Sequence, residues 1–497
     1  MSQVKKETMQ GVKWQFLQKI TLQPVTMLFS IIMARLMTPE EFGILGLTAI
    51  FFSIATALAS GGLGSALIRE IHRTDEDINT VFWTNIAFSA VMSGILMLCA
   101  PLFVAFFNQP ALLLLTYASS GIMFLNSFSS IHNTLFVCER NFKTPAIVST
   151  VVVLISIPFT ILAAYIGWSY WAIVFQSALT ALLNLIILWW VSPWKPRLVW
   201  SSDSFRRLFG YGCKLVITNV IETAFTNLKS LLIGRFYLPA QLGLFERAWK
   251  LASLPSATIN GMLQTVTFPI LASIQEDEER LLRVYSMYIR ITSLGIFYGS
   301  CLLVALAEPT VRLLYGENWL SCVSYLQIVL WGVMCFHFGT INVNLLLVKG
   351  RSDIVLRISI LKKIISVLLL VPAVYISMTA VCWASVLFIP FSLVINSYYT
   401  GKYFHFTMLR QLRDFLPYLA LSAASCTPAY FVTWLPLHAI SQVLLGGLIS
   451  TALYIAILRL VNDAAYGQIM QTLEEKGMFR KFPFLRFLRG NTGLSAK

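Results

Sequence analysis

Amines and amides recur at helical spacing inside segments that are otherwise apolar. Gln15, Lys19 and Gln23 fall at i, i+4 and i+8, and Thr26 and Ser30 continue the line, so one stripe of a helix there is polar. Asn219, Glu222, Thr226 and Lys229 do the same at intervals of three, four and three. Glu246, Arg247 and Lys250 follow, then Asn260 and Gln264, and Arg290 stands in a later apolar stretch. A charge near the centre of a bilayer costs about 2.5–3.5 kcal/mol on insertion scales, so such residues face a bundle interior or a wet cavity. A lysine supplies a flexible point charge, and an arginine a planar fork that can hold two phosphate oxygens. Wet faces of this kind suit a diphosphate.

Lys19, Lys229, Arg247, Lys250 and Arg290 are therefore the candidate substrate-binding cations, with Gln15, Gln23, Asn219, Thr226, Asn260 and Gln264 as polar lining of the same cavity. Glu222 shares a face with Lys229; it either carries a coupling proton or balances a neighbouring lysine. Asn126 and Asn133, with Ser119 and Ser120, and His337, Asn342 and Asn344 further on, offer contacts to sugar hydroxyls. Each cation also has a plainer use. Lys19 could snorkel to the inner boundary, and Arg247 and Lys250 could neutralise Glu246 or reach outer headgroups. Lys362 and Lys363 are adjacent and cannot share one helix face.

The elements that must hold these residues are membrane helices. With 57% hydrophobic and 12% charged residues, and a mean hydropathy of +0.74, a chain of 497 residues has too little polar surface for a water-soluble globule. Apolar stretches long enough to cross about 30 Å of hydrocarbon as helices recur almost throughout. Fourteen are expected, near 13–37, 43–68, 80–107, 111–137, 146–166, 170–192, 214–238, 244–271, 285–307, 321–348, 355–376, 379–400, 415–435 and 438–460. The first reads as a retained helix, since no small-residue cleavage site follows it. Placing the amino terminus inside assigns about 27 of the 37 Lys and Arg to inner loops and tails, which sets both termini on the cytoplasmic side of the membrane. The net charge of +15 then describes faces that meet anionic lipid, and it implies no nucleic-acid partner. The eight cysteines show no CxxC pair and no spacing suited to a metal. No GxxxxGK[ST] phosphate loop occurs, so no ATP is hydrolysed by that route and no cofactor is implied.

The chain also repeats itself. In "ARLMTPEEFG" and "GRFYLPAQLG", Arg35 and Arg235, Pro39 and Pro239, and Gly43 and Gly243 each stand 200 positions apart. "RTDEDIN" after the second span is answered by "SIQEDEER" after the eighth, and Thr74 with Asp77 and Ser273 with Glu276 both fit a capping box. Arg140 in "LFVCERNFKTP" matches Arg351 in "LLVKGRSDIVL". Spans one to six and seven to twelve are thus expected to be two copies of one unit, entering the membrane in the same direction, about a central cavity. The fold class is an all-α polytopic membrane protein, divided as an N-terminal lobe at 1–192, a basic amphipathic linker at 193–213, a C-terminal lobe at 214–400, helices thirteen and fourteen within 401–460, and a basic cytoplasmic tail at 461–497.

The repeated turn "ARLMTPEEFGILGLTAI", the Gly-rich "ASGGLGSALIRE", the "LLYGENW" loop and the two-copy layout resemble the Wzx-type oligosaccharide-lipid flippases, over roughly residues 10 to 460. These belong to the wider multidrug, oligosaccharidyl-lipid and polysaccharide exporter superfamily. The resemblance implies a non-enzymatic carrier of an undecaprenyl-diphosphate-linked oligosaccharide, working by alternating access, coupled to H+ or Na+ or driven by downstream polymerase and export machinery. A peptidoglycan lipid-precursor flippase is the alternative, since its cargo is nearly the same up to the sugar. A multidrug antiporter of the same fold would favour buried carboxylates over lysines. An enzyme would need a catalytic loop larger than the dozen residues of the longest outer one.

Overall fold

A computed structural model describes residues 2–59 and 62–475. It holds eighteen α-helices: α1 Ser2–Leu36, α2 Pro39–Ala59, α3 Leu63–Arg69, α4 Asp75–Phe107, α5 Ala111–Cys138, α6 Lys143–Ala163, α7 Trp171–Val191, α8 Ser202–Phe236, α9 Pro239–Ser273, α10 Glu278–Ala305, α11 Ala307–Leu314, α12 Cys322–Val333, α13 Phe336–Val348, α14 Ser352–Ile376, α15 Met378–Phe404, α16 Met408–Val432, α17 Ala439–Leu460 and α18 Ala464–Glu475. Each of the fourteen expected stretches is helical, and two are broken. The second divides into α2 and α3 ahead of Gly62, whose φ of 61° belongs to the left-handed region that glycine enters without strain. The tenth divides into α12 and α13 at Met334 and Cys335. Most of the proposed tail, including the basic aromatic run from Gly477, lies outside the described residues.

Among the described residues, eleven helices are long and apolar enough to cross a membrane. The protein is a multi-pass, all-α membrane protein. The 35-residue α8 and α9 and the 25-residue α14 are also of membrane-crossing length. They are the helices that carry Lys229, Arg247, Lys250, Lys362 and Lys363.

The chain forms two compact units, Met1–Gly243 and Leu244–Lys497. In the first, α4 lies along α5, α5 and α6 pack on α7, α1 on α6, and α8 on α2, α3 and α4. The helix that opens the second sequence repeat thus packs within the first compact unit. Around Phe82 an aromatic cluster gathers Trp83, Phe128, Trp189 and Trp194. The segment between α7 and α8 is stitched to the first turns of α4: the Arg197 amide donates to Asn79 Oδ1 at 2.6 Å, Trp83 Nε1 to the Arg197 carbonyl at 2.8 Å, and the Ser201 amide to Thr80 Oγ1 at 3.0 Å. Arg207, just inside α8, pairs with the fully buried Asp77 at 2.5 Å.

The repeated turns have a steric reason. Proline stands at the first position of α2 and α9, where its missing N–H costs nothing and its fixed φ suits the helix. Thr38 and Glu41 cap α2 reciprocally, the Thr38 amide donating to Glu41 Oε2 at 2.8 Å and the Glu41 amide to Thr38 Oγ1 at 3.4 Å. The two glycines are needed because the turns meet. A Cβ on Gly43 would lie 1.8 Å from the Pro239 carbonyl oxygen, and one on Gly243 would lie 1.9 Å from that of Pro39.

Thr74 and Asp77 form the expected capping box at the start of α4. The second does not form as read. Ser273 ends α9 and donates to the Ile270 carbonyl, while Asp277 caps α10 by accepting from the Arg280 amide at 2.9 Å. The acidic run starts the helix in both copies, but the capping residue differs.

In the second unit α10 packs on α16, α14 on α15, α16 on α17, and α12 and α13 on α15. Its core includes Tyr285, Phe297, Phe338 and Phe415, with the Phe338 and Phe415 ring centroids 4.1 Å apart.

Candidate functional site

On α8 one face is committed to packing: Leu208, Gly212, Ile233 and Gly234 are buried, and Asn227 Nδ2 donates to Ser53 Oγ on α2 at 3.0 Å. The candidate stripe lies off that face. Asn219, Glu222 and Thr226 are exposed on the first unit and Lys229 is half-buried. Thr226 Oγ1 donates to the Glu222 carbonyl at 2.8 Å, as mid-helix threonines do. On α1, Gln15, Lys19 and Gln23 are likewise exposed, whereas Gln18, one residue off the stripe, reaches Ser149 Oγ on α6 at 2.6 Å. Apart from the half-buried Lys229, the candidate stripes of the two helices that open the sequence repeats are thus exposed on their unit.

The second unit treats its candidates differently. Arg247 is 7% exposed, its guanidinium 5.9 Å from the ring centroids of both Tyr315 and Trp319, so it is enclosed beneath the "LLYGENW" loop. Lys250, one turn on, is exposed. Arg290 donates from Nε and Nη2 to Asp414 Oδ1 at 3.0 and 2.6 Å, while Ser286 Oγ donates to Asp414 Oδ2 at 2.5 Å. Asp414 is buried. Sequence reading began the thirteenth span at residue 415 and so left this carboxylate in a loop; α16 begins at Met408 and carries it inside. The side chains of Asn260 and Gln264 lie outside those described.

Just ahead of the apolar part of α14, Arg351 donates to both Asp353 carboxylate oxygens, at 3.2 and 3.3 Å, and to Tyr403 Oη. The hydrogen bond from Arg351 holds the Asp353 carboxyl below its usual range.

Each unit contains a cavity of its own. That in the second is about 750 Å³ and is bordered by Phe336, Thr340, Asn344, Lys362 and Ser392. A Cβ on Gly339 would stand 3.5 Å from Lys362 Nζ, an ordinary contact, so the amine lies close to α13. Lys362 was set aside at the sequence level because it adjoins Lys363. His337 and Asn342 serve packing instead: His337 lies between Ser293 Oγ and the Met334 carbonyl, and Asn342 Nδ2 donates to Gln411 Oε1 at 3.1 Å. One cavity in the first unit is about 350 Å³ and brings together Asn126 of α5 and Asn219 of α8. Among the described residues, no three of His, Cys, Asp and Glu gather as metal ligands.

A family model described as "Polysaccharide biosynthesis protein" matches residues 32–324. The chain belongs to that family. Family relatives include the succinoglycan biosynthesis transport protein ExoT of Rhizobium meliloti (strain 1021), 25% identical over 315 residues, which are 63% of this chain and 64% of that protein. The lipopolysaccharide biosynthesis protein WzxC of Escherichia coli (strain K12) is 23% identical over 381 residues, 75% of each chain. The teichuronic acid biosynthesis protein TuaB of Bacillus subtilis (strain 168) is 21% identical over 357 residues, 71% of this chain and 74% of that one. The chain thus spans a little under two thirds of ExoT and about three quarters of the other two. Among solved structures, the lipid II flippase MurJ in an inward closed conformation matches with a TM-score of 0.69 at 12% identity, over 92% of this chain and all of that one. An inward-facing MATE family transporter matches with a TM-score of 0.57 at 16% identity, over 80% of this chain and 94% of that one. This polysaccharide biosynthesis family member therefore shares its fold with both.

Proposed function

We propose that the protein is a flippase that moves undecaprenyl-diphosphate-linked oligosaccharide repeat units from the cytoplasmic to the periplasmic leaflet of the bacterial inner membrane by alternating access, delivering them to polymerase and export machinery. The observation that carries this reading is the cationic stripe on α1 and α8. Lys19, exposed, and Lys229, half-buried, sit on membrane-length helices of the first unit. Facing lipid, each would incur the roughly 2.5–3.5 kcal/mol insertion cost, which a wet path removes. Amines on such a path favour a phosphorylated cargo over a cationic drug. The relatives named for succinoglycan transport and for lipopolysaccharide and teichuronic acid biosynthesis support a glycan cargo. Lys250, exposed on the second unit, is a further candidate cation, and Glu222 either couples H+ or Na+ movement or balances a neighbouring lysine.

Both termini are assigned to the cytoplasm, with the lobes following the sequence repeat at 1–192 and 214–400. The decisive experiment depletes the protein and identifies the lipid-linked glycan that accumulates in the cytoplasmic leaflet. A polymer repeat unit is expected. Accumulation of a peptidoglycan precursor would replace the cargo, and no accumulation at all would remove the transport assignment.

A further inference from the structure

The cavity of the first unit that holds Asn126 and Asn219 is framed by glycines. Gly62 brings the start of α3 so close to α8 that a Cβ there would meet the Gly212 carbonyl oxygen at 2.4 Å, and Gly64 sets α3 against α5, its Cβ position 3.1 Å from Thr134 Oγ1. What remains between α2, α3, α4, α5 and α8 is a pocket of about 350 Å³, near the lower end of the ~300–1,000 Å³ typical of ligand sites.

Its lining has a distinct chemistry. Among the described residues, no Asp, Glu, Lys, Arg or His borders it. Asn85, Asn126 and Asn219 contribute amides, and Ser127, Ser130 and Thr134 contribute hydroxyls. Those hydroxyl protons are already committed: Ser127 Oγ donates to the Phe124 carbonyl at 2.6 Å, Ser130 Oγ to that of Ser127 at 3.0 Å, and Thr134 Oγ1 to that of Ser130 at 3.1 Å. Each oxygen retains lone pairs, so what the row can still offer is acceptors. Asn85 is 7% exposed, and its Oδ1 has no hydrogen-bond partner among the described residues. A buried amide oxygen left in this way is stabilised by a ligand donor. Phe52 and Met123 supply an apolar wall.

An uncharged pocket that offers carboxamide donors and acceptors, hydroxyl acceptors and one apolar wall fits a ligand that is neutral, rich in hydroxyls and apolar on one face. We infer that this pocket, which brings Asn85, Asn126 and Asn219 together, is a monosaccharide subsite that reads the hydroxyl pattern of one neutral sugar of the carried glycan. The inference rests on the flippase reading and separates the labour: cations elsewhere hold the diphosphate, and this pocket holds a sugar. The volume admits one ring and not an oligosaccharide. A bare alkali cation is the other ligand that acceptors attract, but a pocket of this size with no carboxylate does not close around an ion.

The test is saturation-transfer difference NMR on the full-length protein in lipid nanodiscs, with D-glucose, D-galactose and D-mannose as separate probes, in sodium and in potassium buffer. At least one hexose is expected to bind in both buffers, with its Kd raised ten-fold or more in Asn126→Leu and in Asn219→Leu. Both positions are exposed within the unit, and an unchanged thermal midpoint verifies that each variant is folded. Absence of hexose binding to the wild type overturns the inference, as does binding that both variants retain. A signal confined to sodium buffer identifies a cation site and also overturns it. Depletion reads the transport assignment separately: if no lipid-linked glycan accumulates while the variants still lose hexose, the transport reading falls and the sugar site stands.

Discussion

Replacing Gly43 by alanine adds one methyl group at the place where two turns touch. For that methyl to fit, its distance from the Pro239 carbonyl oxygen must grow from 1.8 Å to at least 3.0 Å. The obstacle is backbone at the first turn of α9, so no side-chain rotation relieves it. Overpacking costs about 1–3 kcal/mol and sometimes more, and a rigid backbone neighbour puts this site at the upper end. At roughly 2–4 °C per kcal/mol for a chain of a few hundred residues, the thermal midpoint should fall on the order of 10 °C. Two glycines calibrate the assay. Gly94 has nothing within 4 Å of its Cβ position, so Gly94→Ala should stabilise slightly through helix propensity, by about 0.5–1 kcal/mol. Gly46 would make an ordinary contact with Leu242 at 3.5 Å, so Gly46→Ala should be near neutral. Gly243→Ala should cost as much as Gly43→Ala, and the double variant less than their sum, because the first substitution already parts the turns for the second. Thermal unfolding of the purified protein, followed by tryptophan fluorescence, measures all five. A Gly43→Ala midpoint equal to wild type, or strict additivity in the double variant, would refute the reciprocal contact.

Three further outcomes are expected. Lys19→Ala, Lys229→Ala and Lys250→Ala, made singly, should abolish polymer export at near-normal membrane abundance; export intact in all three removes the proposed phosphate path. Asp414→Ala leaves the Arg290 guanidinium without its carboxylate and should destabilise by about 3 kcal/mol, the low end for breaking a buried pair because Arg290 is partly exposed; a midpoint unchanged from wild type would show the pair to be dispensable. Thr74→Ala removes the α4 capping box and should cost about 1 kcal/mol, which Thr74→Ser restores, as read by the same thermal assay.

The helices were legible because hydrocarbon thickness imposes length and apolarity on each span; each expected stretch is helical, though α1, α8 and α16 begin well before theirs. Breaks inside spans were not, since Gly62 interrupts a run whose hydropathy continues through it. The repeated turn was legible as a pattern, but its cause was not: that Gly43 meets Pro239 depends on a contact across 196 residues, which spacing along the chain does not encode. The same limit governs the candidate site. Periodicity placed Lys19, Asn219 and Lys229 on polar stripes, yet it could not tell that Arg247 would be enclosed by Tyr315 and Trp319 or that Arg290 would find Asp414. A buried partner on another helix has no local signature. Asn126 and Asn219 lie on different helices 93 residues apart, so their shared pocket emerges only when α8 packs onto the first unit.

The exchange of contacts between Pro39 and Gly243 and between Pro239 and Gly43 has the form of an isologous dimer interface, in which residue i meets j and j meets i. Each turn therefore supplies both halves of the seam, its proline carbonyl facing the other turn's glycine, so a substitution at either glycine displaces the same pair of backbones.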